Sequence, residues 1–177
     1  MEAKVIEKGQ IILVGFSFFG DPFAESAGWT EENEIGRLWG RFKTFLIDRQ
    51  SSIKHLKSAA VAYEVHVEST ETASKGHREV FVGIKVEKLE DVPFEMLIKI
   101  LPPATYVVFT LKGEQIVSDW SRMIQEWMLE TGYESAHTYG IQRYDERFKG
   151  VDNLAESQIE VYVPVKGGQD VSSGGDK

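Results

Sequence analysis

Chemistry at a protein site needs nucleophiles, metal ligands, acid–base groups or aromatic surface, and this chain of 177 residues offers them unevenly. It contains no cysteine, which excludes disulfides, thiolate zinc sites and cysteine nucleophiles. Its four histidines, His55, His66, His77 and His137, show none of the i, i+4 or His-Glu pairings that metals favour, so no metal site is expected. No glycine-rich phosphate loop is present, because Gly36 and Gly40 lie inside a helical pattern. Gly15-Phe16-Ser17 lacks the second glycine of a nucleophile elbow, and no catalytic residue is assigned. What remains is aromatic surface. Trp39 and Trp127 each fall on the apolar face of a helical pattern, a position that serves core packing and ligand contact alike. Tyr63, Tyr139 and Tyr144 lie on strand patterns and bring both rings and hydroxyl donors.

The elements that position these side chains follow from changes in hydrophobic period. Val5 to Phe19, rich in Ile, Val and Phe, reads as a buried strand ended by Gly20-Asp21-Pro22. Thr30 is the expected N-cap of a helix, with Glu31, Glu32 and Glu34 in the turns where the helix dipole favours anions. Ile35, Leu38, Trp39, Phe42, Phe45 and Leu46 make its apolar stripe. Ala60 to Val67 alternates as a half-buried strand, Ser69 to Gly76 reads as a hairpin loop, and Glu79 to Val86 as the answering strand. The order then recurs. Met96 to Leu111 is a strand interrupted early by Pro102-Pro103. Ser118 is placed to cap a second helix, with Trp120, Met123, Ile124 and Trp127 on one face and Gly132 at its end. His137 to Phe148 and Ser157 to Val165 are two further strands.

The chain thus reads strand–helix–strand–strand, twice. The expected fold is α+β, a tandem pair of such units with pseudo-two-fold symmetry, an antiparallel sheet carrying two helices on one face and a groove between them. Residues 1–166 are expected to form a single domain, unit one at about 1–90 and unit two at about 91–166, with 167–177 a flexible tail. An internal echo sets Ala62-Tyr63-Glu64-Val65-His66-Val67 against Thr138-Tyr139-Gly140-Ile141-Gln142-Arg143 at the same place in each unit.

Twenty basic residues against 28 acidic ones leave a net charge of −8, so counterion release gives no driving force and nucleic acid is not expected as a direct partner. That field favours a cationic or neutral small molecule. Ile11 to Phe19 is too short to span a bilayer and follows Glu2 and Glu7, so neither a signal nor an anchor is read and the cytoplasm is the expected location.

Four segments, FVGIKVEKLEDVPFEMLIKILPPATYVVFTLKG from Phe81, QEWMLETGYE from Gln125, IQRYDERF from Ile141 and IEVYVPVK from Ile159, resemble the GyrI-like small-molecule-binding domain, with IGRLWGRF at the first helix a weaker match. That domain is also the effector-binding module of many AraC- and MerR-type regulators. The resemblance implies two strand–helix–strand–strand units and a groove that takes hydrophobic, often cationic, compounds between aromatic side chains and a buried glutamate. With no helix-turn-helix ahead of the domain, a stand-alone member is expected. Where the family's second-unit strand reads Phe-Glu-Arg-Tyr, this chain has Ile141-Gln142-Arg143-Tyr144. Glutamine carries no charge and has no useful proton affinity, so the family's cation preference and glutamate-dependent hydrolysis both need another group. By the echo, the first-unit counterpart of Gln142 is His66, with Glu64 two residues earlier on the same strand face, and either is a candidate replacement.

The expected function is therefore binding of a hydrophobic or aromatic effector or drug-like compound, for sensing or sequestration, without a cofactor. Trp39, Tyr63, Glu64, His66, Trp127, Tyr139, Gln142 and Tyr144 are the candidate ligand-binding residues. Two alternatives stand beside it: a hydrolase of strained electrophiles using Glu64 or His66, and a gyrase-type inhibitor whose acidic surface meets a basic protein. The sequence leaves monomer and homodimer both open.

Overall fold

The computed structural model describes residues 2–168, and most of the tail expected at 167–177 lies outside the described residues. The two long apolar strands of the sequence each break in two. Glu2–Lys8 is β1, Ile11–Gly20 is β2, Leu97–Leu101 is β5 and Ala104–Lys112 is β6. Their register explains the breaks. Lys8 opposes Ala104 and Ile11 opposes Leu101, so Gly9-Gln10 stands against Pro102-Pro103 and the ladder resumes without a slip. Proline has no N–H to donate, so the pairing stops there on both strands.

Unit one continues through helix α1 (Glu34–Arg49), strand β3 (Ala62–Glu68), the short helix α2 (Thr72–Lys75) and strand β4 (Arg78–Val86). Unit two continues through helix α3 (Trp120–Thr131), the short strand β7 (Tyr133–Ser135), and strands β8 (Tyr139–Tyr144) and β9 (Gln158–Gly167). The result is one nine-stranded sheet in the order β1-β6-β9-β8-β3-β4-β2-β5, with β7 paired to β9 and every pairing antiparallel. The units join at β3 and β8. They also exchange edges, since β1 pairs with β6 of unit two and β5 with β2 of unit one.

Both helices lie on one face. Leu38 and Phe42, four apart on α1, are buried with Val14, Phe16, Val80, Val82 and Ile84. Ile124 and Met128 of α3 pack with Val107, Phe109, Ile159 and Val161. A fully buried side chain such as Phe42, 1% exposed, contributes about 1.5–3 kcal/mol. On the opposite face Ile11, Leu13, Leu101, Tyr106, Val108 and Tyr162 from both ends of the sheet meet in a third core, so that face curls round itself.

Both N-caps fall later than the sequence suggests. Asn33, not Thr30, caps α1, accepting from Gly36 N at 2.9 Å and donating to Gly28 O at 2.8 Å. Thr30 instead accepts from Glu32 N in a turn of its own. Asp119, not Ser118, caps α3, while Gly132 ends it at φ +73 in the left-handed region, as expected. No described helix is long and apolar enough to cross a membrane.

Candidate ligand-binding site

The site candidates converge where the two units meet. In the β3–β8 pair Glu64 opposes Gln142, Val65 opposes Ile141 and His66 opposes Gly140. The echo equates Val65 with Ile141, so the pseudo-two-fold axis passes through that pair. Strand alternation then divides the candidates between two faces. Glu64, His66, Gln142 and Tyr144 share the face that carries the helices. Tyr63 and Tyr139 point the other way, against the third core, and Tyr139 exchanges a hydroxyl hydrogen bond of 2.8 Å with Tyr106.

On the helix face a chain of hydrogen bonds runs through the buried polar groups. Trp39 Nε1 of α1 donates to Glu64 Oε2 at 2.5 Å. Glu64 Oε1 faces His66 Nε2 at 2.5 Å and accepts from Gln142 Nε2 at 3.2 Å. Tyr144 in turn donates its hydroxyl to Gln142 Oε1 at 2.7 Å. Glu64 is 4% exposed, and Gln142 and Tyr144 are each 7% exposed. Burial, with the negative charge of Glu64 nearby, pushes the Tyr144 hydroxyl well above its ordinary pKa and keeps it a neutral donor.

Burying a carboxylate costs several kcal/mol unless its oxygens find donors, and a charged partner is the usual compensation. Among the described residues neither lysine nor arginine pairs with Glu64, whose one ion-pair contact is His66. An indole N–H, an amide N–H and an imidazole hold it instead. Electrostatically the site is a buried acceptor whose one ion-pair neighbour among the described residues is His66.

Aromatic rings close over this acceptor. Trp39 meets Tyr144 edge-on with centroids 5.1 Å apart and packs against the cores of both units. Trp29, from the loop between β2 and α1, lies 6.4 Å from Tyr144 and 6.0 Å from Phe148, which itself sits 5.1 Å from Tyr144. Neither Trp29 nor Phe148 was a sequence candidate. A tryptophan in a polar, non-periodic stretch was the available signal for the first. The groove between the helices is thus filled at its floor by the protein's own Trp39 and Tyr144. Trp127 sits apart, stacked on Tyr133 at 5.7 Å and edge-on to Phe109 at 5.1 Å in the core of unit two.

A cavity of about 10 Å³ between Lys8, Tyr63, Lys85 and Tyr162 lies on the other face. An open depression of about 670 Å³ flanks α1 beside Phe16, Arg41, Phe45 and Glu95. Neither includes Glu64 or Gln142. Among the described residues no group of three or more histidine or acidic side chains is placed to hold a metal.

Residues 4–165 match the family model Cass2, described as integron-associated effector binding protein. The transcriptional regulator BrlR of Pseudomonas aeruginosa is 27% identical over 167 residues, covering 93% of this chain and 56% of BrlR, so the chain spans about half the length of the curated relative it matches. Among solved structures, SAV2435 bound to tetraphenylphosphonium aligns at a TM-score of 0.65 with 15% identity, covering 94% of this chain and 95% of that one. EcmrR in its DNA complex aligns at 0.64 with 14% identity, covering 93% of this chain and 57% of EcmrR. At such identities the two structures establish a shared fold.

Proposed function

The chain belongs to the Cass2 family of integron-associated effector-binding proteins, and on that premise we propose that it binds a hydrophobic aromatic cation between α1 and the β3–β8 pair, with Glu64 as counter-charge. One observation carries the reading: Glu64 is buried, 4% exposed, and is held by Trp39, Gln142 and His66 with neither lysine nor arginine against it among the described residues. A ligand cation supplies the charge that the protein withholds. Glu64 thereby takes the place of the family glutamate at the position of Gln142, from the neighbouring strand and on the same face.

In the closed form the Trp39 N–H holds the carboxylate. Binding displaces that indole sideways, and its face then joins Tyr144, Trp29 and Phe148 as walls. Apolar burial supplies most of the affinity at about 25 cal/mol per Å². A cation over these rings adds about 0.5–2 kcal/mol, and its charge supplies selectivity. Tetraphenylphosphonium, bound by the structural relative SAV2435, has this chemistry. Binding is favoured over hydrolysis because Glu64 is 4% exposed, Gln142 and His66 keep hold of its Oε1, and the ligand cation takes the place of the Trp39 N–H beside Oε2. The biological reading is effector sensing or drug sequestration in the cytoplasm, in keeping with the likeness to a regulator, BrlR.

Titration with tetraphenylphosphonium, followed by intrinsic tryptophan fluorescence, tests this. A saturable change is expected, weakened at least about tenfold by Glu64→Gln, a loss of about 1.4 kcal/mol. No saturable response in the wild type overturns the reading.

A further inference from the structure

The two edges of the sheet are pseudo-symmetry counterparts, since β1 leads into β2 as β5 leads into β6, yet their chemistry differs. An open edge presents unpaired N–H and C=O groups, and charged side chains are the usual protection against pairing with another chain. The β1 edge is protected in this way: Glu2, Lys4, Glu7 and Lys8 occupy four of its seven positions. The β5 edge, Leu97-Ile98-Lys99-Ile100-Leu101, has one charge. That lysine bonds to Glu79 at 2.7 Å and lies over the Phe81 ring, so it is withdrawn from the edge. Leu97, Ile98 and Ile100 are 55%, 47% and 48% exposed, and Phe94 just ahead of them is 93% exposed.

We propose that β5 is the dimer interface of this protein, pairing antiparallel with β5 of a second copy across a two-fold axis. Self-pairing fits for three reasons. An antiparallel strand pair of one sequence matches its own row of backbone donors and acceptors, which makes the contact isologous and closed. The net charge of −8 opposes self-association over most of the surface, but at this edge the single cation is already neutralised by Glu79, so two copies meet without repulsion. Exposed apolar area supports it as well. The four apolar side chains expose on the order of 400 Å², the scale at which a patch marks an interaction site, and about half of what each partner buries in a standard interface. The open depression of about 670 Å³ lined by Phe16, Phe45 and Arg49 lies beside Glu95, two residues ahead of β5. Glu95 Oε2 is buried there with no hydrogen-bond partner.

Sedimentation equilibrium of the full chain over a range of concentrations tests the proposal. The wild type is expected to dimerise, Ile98→Lys to raise the dimer dissociation constant by at least about tenfold, and Val5→Lys on the β1 edge to leave it unchanged. Phe94→Lys, at a fully exposed position, is the second variant should Ile98→Lys lose its native circular dichroism, and it is expected to weaken the dimer as well. A wild type that stays monomeric at every concentration overturns the proposal, even if the edge captures another protein. So does a dimer that persists equally in the β5 variants.

Discussion

At the scale of single residues, the departure at position 142 has a physical reason. A glutamate there would place a second carboxylate beside Glu64, whose Oε1 already lies 3.2 Å from Gln142 Nε2. Two buried carboxylates in contact cannot both ionise cheaply, so one pKa rises. Gln142→Glu is therefore predicted to lower stability by on the order of 3 kcal/mol at pH 8. A raised folded-state pKa means the unfolded chain sheds its proton first as pH rises, so the deficit shrinks as pH falls from 8 toward about 4. Urea unfolding at several pH values checks this. The same pair shows how legible the site was. Glu64, His66, Gln142 and Tyr144 share a face because strand alternation and the echo fix their relation. Alternation does not say which face the helices cover, so Tyr63 and Tyr139 read alike from the sequence although they face the other core. Trp127 carries the same helical-stripe signal as Trp39 but packs on Tyr133 and Phe109.

At the scale of elements, the repeated strand–helix–strand–strand order, the Gly132 stop and the exchange of strand for helix were readable because local periodicity and turn chemistry encode them. The break at Gly9-Gln10 and Pro102-Pro103 was half readable: the prolines announce it, but that both strands stop together is a matter of pairing between residues far apart in the chain. Trp29 escaped for the same reason, since its contacts with Tyr144 and Phe148 cross from one unit to the other and no local pattern records them. Its loop is tied to α1 by Asn33, 1% exposed, through the Gly28 carbonyl and the Gly36 amide. Asn33→Ala removes the cap and leaves that carbonyl without its partner, for a predicted loss of about 2 kcal/mol in chemical unfolding. Because the change also frees the Trp29 loop, tryptophan emission is expected to shift before the global transition.

At the scale of the whole molecule, the two faces of the sheet divide the labour. The helix face holds Glu64 with neither lysine nor arginine against it among the described residues, while on the opposite face Asp145 and Glu160 lie against Arg143 and Arg147. The Arg147 hydrogen bonds, outweighing burial, pull the Asp145 carboxyl down to about 2. A depressed carboxylate contributes stability that is complete above its unfolded pKa of about 4 and is lost as pH falls toward 2. Asp145→Asn is therefore predicted to melt below the wild type at pH 7 and level with it near pH 2, as thermal melts across that range would record. On the ligand face neither lysine nor arginine stands against Glu64 among the described residues, only His66, and on that contrast the functional reading rests.

Crossing the charge of the ligand with the charge of Glu64 measures it most directly. Wild type and Glu64→Gln are each titrated calorimetrically with tetraphenylphosphonium and with neutral triphenylphosphine oxide. The account predicts that the substitution weakens the cation at least about tenfold and changes the neutral compound by no more than about twofold. Equal losses for both compounds, or none for either, would contradict it.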